Sequence, residues 1–368
     1  MNRKDLARIR RRFTPEKNDI SVIRGCFVNE NREIVSTFAK SPLSLPQSEA
    51  EHYLADFKKT LGGAPGRNQF AIPVRPDDPA GQLLRRLQVG ELRDEKDAEA
   101  LFRTIIDHLE MEGAYLILAM RDVFSVPKKK APHTDAPEFT DEVFSYILVS
   151  VCPVKLTKPL LTFFSDDRDF HTVDPDLAVA GPALGFMYPM FLDGGADLSA
   201  AHFFTRDSED LHADFIDGVF GAAAPASASD TRQTFYDVLN DSLETGLTFE
   251  VVQTLHENLT AQLADRKKDA APLQVSRREI ASLLQSCDVP ESQLDAFQEQ
   301  YLEQFGAVGI EAAAIAEEKR FEVETETVKI SVDPGRSDLV TLRKIDGRTC
   351  IVVAAEGAVT VNGVEVSL

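Results

Sequence analysis

Two apolar runs in the middle of the chain limit its possible folds more than any other feature. Ala114–Val123 (AYLILAMRDV) and Val143–Cys152 (VFSYILVSVC) are dense in large aliphatic and β-branched residues and lack a helical period. Short apolar runs of this kind read as buried strands. Between them lies a polar stretch, Ser125–Asp141, holding Lys128, Lys129, Lys130 and three prolines. Two strands around a long polar excursion predict a wide hairpin whose loop reaches away from the body.

The flanking sequence predicts mixed structure. Residues 2–12 have Leu6 and Ile9 at helical spacing, with Phe13 following, and Pro15 is a stop. Asp19–Val28 and Glu33–Phe38 read as strands joined by a turn at Asn29–Arg32. Gln47–Leu61 places Ala50, Tyr53, Leu54, Phe57 and Leu61 on one helical face and ends at Gly62-Gly63. A strand at 70–74 and helices near 80–90 and 94–111 follow. Further strands are expected near 159–164, 185–191 and 200–205, then a helix over 209–220. Beyond Gly221–Ser229, a run of small residues that reads as a linker, the period turns helical over 231–243, 249–267, 276–287 and 290–305. Ser276 and Glu279 have the spacing of a capping box. From Phe321 onward short alternating runs return, punctuated by Asp346-Gly347 and Asn362-Gly363. The expected fold is α+β: a mixed α/β body over 1–220, a linker at 221–230, a helical segment over 231–320 and a small β module over 321–368.

Composition narrows the function classes. The 368 residues are 43% hydrophobic and 27% charged, with a net charge of −20, which excludes a disordered chain and a uniformly basic nucleic-acid coat. The start, MNRKDLARIRRRF, has no apolar run behind its charges, so no secretory signal is expected. The longest apolar stretch, 143–154, is interrupted by Ser145, Ser150 and Pro153 and falls short of the roughly 20 residues a spanning helix needs. Cys26, Cys152, Cys287 and Cys350 form no C-x-x-C pair, so the expectation is reduced thiols in a cytoplasmic protein without a membrane segment.

No catalytic motif stands out, and no cofactor is expected. Gly62-Gly63-Ala64-Pro65-Gly66 follows a helix and precedes a strand, the reverse of a phosphate loop, and reads as a helix stop. Asp166, Asp167 and Asp169 with His171 could bind a divalent cation, although an acidic turn between strands is the plainer account. His202 and His212 lie ten residues apart in different expected elements, and nothing local brings them together. His133 and Asp135 fall in the polar loop. From Ser165 to Asp217 there are twelve Asp or Glu against two Arg, a solvated face or a dock for a basic partner. Basic residues are equally local: Arg8, Arg10, Arg11 and Arg12; Lys128–Lys130; Arg266, Lys267 and Lys268; Arg277 and Arg278. Each cluster could neutralise phosphates, and each could equally be a solvated helix end or loop.

The phrases RRFTPEKNDISVIRGCFVNENREI, KKTLGGAPGRN, FSYILVSVCPVKLTKPLL, FEVVQTLHENL and IDGRTCIVV resemble the bacterial family catalogued as domain of unknown function 4317, across essentially the whole chain. That resemblance implies a family relation and assigns no residue a role. The order of elements is also similar to that of the bacterial nucleoid-associated protein family, whose members are acidic too. The expected function is therefore a non-enzymatic binding protein. In its DNA-associated form the contacts come from Arg8, Arg10, Arg11, Arg12 and Lys128–Lys130. The alternative is a protein–protein interaction scaffold, with a homodimer among the expected states, and a metal-dependent hydrolase using the Asp166–His171 acids ranks third.

Overall fold

The computed structural model describes residues 3–126, 142–166, 168–192, 195–244, 246–266, 273–307, 309–316, 320–361 and 363–366. The chain divides into two compact units, Met1–Ser227 and Ala228–Leu368. The fold class is α+β. Among the described residues, no helix is long and apolar enough to cross a membrane.

Unit 1 runs α1 (Arg3–Arg10), β1 (Ile23–Val28), β2 (Ile34–Lys40), α2 (Gln47–Thr60), β3 (Gln69–Pro73), α3 (Pro79–Val89), α4 (Glu95–His108), β4 (Tyr115–Val126) and β5 (Glu142–Leu156). It continues through β6 (Leu160–Phe164), β7 (Asp169–Val173), β8 (Leu177–Val179), β9 (Leu184–Tyr188), β10 (Met190–Leu192), β11 (Gly195–Asp197), β12 (Ala200–Thr205) and α5 (Ala213–Phe220). The main sheet has the order β2-β1-β4-β5-β9-β12-β3, with β8 also paired to β5. The two apolar runs are its central strands, β4 and β5, paired antiparallel from Tyr115↔Pro153 to Val126↔Glu142. The loop that joins them, with Lys128, Lys129 and Lys130, lies outside the described residues.

Because successive strand residues point to opposite faces, β4 and β5 serve two cores at once. Tyr115, Ile117, Ala119, Ile147, Val149 and Val151 face α3, α4 and α5. Leu116, Leu118, Met120, Phe144, Tyr146 and Leu148 face α1 and α2. The unbroken hydrophobic reading of both runs is thus the signature of strands covered on both sides. α2 lies close to the sheet at Gly185, where a side chain would meet Thr60 and the Val149 carbonyl.

The first strand begins at Ile23, not Asp19. The backbone N–H of Asp19 instead donates to the Asp122 carboxylate at 2.8 Å, which holds that segment off the ladder. Asp122 is fully buried, and its oxygens also accept from Arg12 Nε (2.9 Å), Arg12 Nη2 (3.2 Å) and the Tyr146 hydroxyl (2.8 Å). Arg12 Nη2 donates onward to the Val123 carbonyl at 2.7 Å and to Asp19 at 3.1 Å. A bidentate guanidinium with two further donors satisfies a carboxylate that would otherwise be costly to bury. This cluster ties the turn after α1 to the sheet centre.

Unit 2 contains α6 (Ala228–Ser242), α7 (Phe249–Asp265), β13 (Gln274–Val275), α8 (Arg277–Ser286), α9 (Glu291–Phe305), β14 (Ile310–Glu311) and α10 (Ala312–Ile315). It ends in β15 (Phe321–Glu324), β16 (Lys329–Val332), β17 (Val340–Ile345), β18 (Arg348–Val353), β19 (Val359–Val361) and β20 (Val364–Val366), paired as three successive hairpins. The helices share one core that includes Phe235, Leu255, Leu284 and Phe297. The capping box at Ser276 and Glu279 is present at the start of α8. The β segment docks on α7: Phe321 packs against Phe249 and His256, and Ser337 donates to Glu257. Its last two strands are exposed along their length.

Removing one partner of a buried ion pair typically costs about 3–5 kcal/mol. Asp122→Ala should therefore lower the stability of unit 1 by about that amount in urea unfolding. The Arg12→Met, Asp122→Leu double variant should lose less than the sum of its single variants. A loss below about 1 kcal/mol for Asp122→Ala would show that the cluster is only a surface-grade pair.

Candidate interaction surface

β5 is longer than its neighbours, and the excess begins a structure of its own. Beyond Pro153 it pairs with β8, Val154↔Val179 through Leu156↔Leu177. Thr157 N donates to the Asp176 carbonyl and Asp176 N to Thr157 Oγ1, carrying the register forward. β6 and β7 then pair Leu160↔Val173 through Phe164↔Asp169. One register holds throughout, so residues 154–179 form a single two-stranded arm that turns at 165–168. At about 3.3 Å per residue, the ten steps from Val154 to Phe164 span about 33 Å.

Opposite residues share a face, so one side of the arm carries Val179, Leu156, Leu177, Leu160, Val173 and Phe164. All six are 41 to 65% exposed. Phe164 lies over His171 on this side, at 5.6 Å between ring centres. The other side carries Leu161, Phe163 and Phe170 towards the tip, each at least half exposed and the two Phe rings in edge contact, with Asp174 and Asp176 nearer the base. Exposed apolar side chains at this density exceed the singly scattered hydrophobes of an ordinary surface.

The apolar side continues the sheet face that α1 and α2 cover, and at the arm's base it meets a cavity. A half-open space of about 410 Å³ lies between Ser48, Glu49, His52, Tyr53 and Asp56 of α2, Leu116 and Leu118 of β4, and Val179. The floor is aliphatic. The rim carboxylates are paired, Glu49 with Lys40 at 2.8 Å and Asp56 with Lys59 at 2.9 Å. Such a cavity suits one large apolar side chain entering from outside.

The residues singled out from sequence are placed as follows. Arg8 and Arg11 are exposed and Arg10 is half-buried, whereas the guanidinium of Arg12 is engaged by Asp122. Arg266, Arg277 and Arg278 belong to unit 2, while Lys128–Lys130, His133, Asp135, Lys267 and Lys268 lie outside the described residues. Asp166, Asp169 and His171 sit at the exposed tip of the arm, and Asp167 lies outside the described residues. The acids of 165–217 do not make one face. They divide between the arm, the segment around Asp207–Asp210, and α5, which covers the opposite side of the sheet. A second, smaller pocket of about 140 Å³ lies between Arg32, Asp107, His108, Glu110, Asp214 and Asp217. Among the described residues, no three His, Cys, Asp or Glu groups are disposed to hold a metal ion.

His202 and His212 do not converge. His212 heads α5 beside Asp210 at 3.3 Å, and His202 is buried on β12 with no hydrogen-bond partner for Nε2. The cysteines are unpaired thiols. Burial pushes Cys26 up to about 11 and Cys152 up to about 12, so neither is a nucleophile at neutral pH.

An antiparallel sheet layered between helices, with a β-arm that continues one of its central strands and a half-open cavity at the arm's base, is the frame of unit 1. The model of the family described as Domain of unknown function (DUF4317) matches residues 1–364, and the chain belongs to that family. No curated protein matches it.

Burial lowers His202 from 6.5 to about 3. Below pH 6.5 the unfolded chain takes up a proton that the folded chain refuses. The associated stability is full above that pH and is lost as pH falls towards 3, at up to about 1.4 kcal/mol per pH unit. In acid-side unfolding titrations, His202→Leu should lose less stability than the wild type across this window. Equal slopes would show that His202 titrates normally.

Proposed function

We propose that this protein works by binding another protein chain through the apolar side of its arm. The observation that carries this reading is the row of exposed apolar side chains from Val179 to Phe164, broken by Lys158 and Thr162, on an arm whose base meets the cavity beside α2. Catalysis would call for convergent ionisable groups, and the arm offers shape and apolar area instead. Nucleic-acid binding would rest on Arg8, Arg10 and Arg11, since the Arg12 guanidinium already serves Asp122. An anionic membrane fits the arm poorly, because Asp166 and Asp169 flank its tip.

The test is affinity purification of the full chain after nuclease digestion. A protein held through the arm survives digestion and is lost when Leu160, Phe164 and Val173 are together replaced by Ser. Associated material that disappears with nuclease and persists with the altered arm would contradict the reading, and would return the function to the basic N-terminal segment.

A further inference from the structure

We draw no further inference here: the strongest candidate, the half-open cavity between α2, β4 and Val179 at the base of the arm, has its rim carboxylates Glu49 and Asp56 already paired with Lys40 and Lys59, and nothing in the structure shows what covers it.

Discussion

β5 runs for fifteen residues, and neither neighbour follows it to its end: β4 pairs only as far as Pro153 and β9 only as far as Val151. Backbone donors and acceptors beyond that point need partners, and the chain supplies them by folding back as β8. Once that return is made, the register of the pair extends through Thr157 and Asp176 into β6 and β7 without interruption. The arm is the continuation of a core strand, so its alternation is inherited. Residues that face α1 and α2 within the sheet are followed, at every second position, by Leu156, Lys158, Leu160, Thr162 and Phe164 in the open. An apolar row continuous with a hydrophobic core is thus a consequence of strand length.

The face from which the arm emerges depends in turn on the buried carboxylate of Asp122. Leu6, Ile9 and Phe13 cover part of that face, and the turn behind them is held by Arg12 across 110 residues of sequence. Burial and the adjacent Asp122 both hold the Tyr146 hydroxyl well above its usual range, which keeps it a neutral donor to the carboxylate. The cluster is polar, yet its effect is to keep an apolar layer in place on a sheet face that α2 and Phe191 of β10 also cover.

Much of the local structure was legible in the sequence. The β4 and β5 runs, the amphipathic α2, the helices from Ala228 to Phe305 and the cap at Ser276 each carry a short-range pattern that tertiary context did not override. The arm was legible only in part. LLTFF reads as a strand and the following acids as a turn, but DFHTV and LAV are too short and too mixed to announce a returning strand. Nothing local separates Leu160 or Phe164 from a core residue, because exposure is decided by what lies across the sheet. The engagement of Arg12 was equally invisible: among four nearby arginines, only pairing with a residue far along the chain distinguishes it. The acidic stretch 165–217 misleads for a related reason, since contiguity in sequence places its residues on both sides of one sheet.

The account turns on whether the apolar side of the arm is covered by protein when the chain is at work. A photo-cross-linking amino acid placed at Leu177, on the side that continues the core face, or one residue away at Asp176, on the opposite side near the arm's base, would test this inside living cells. The account predicts a discrete protein adduct from position 177 and little from position 176, with the same total protein. Equal labelling from both positions, or none from position 177, would contradict it.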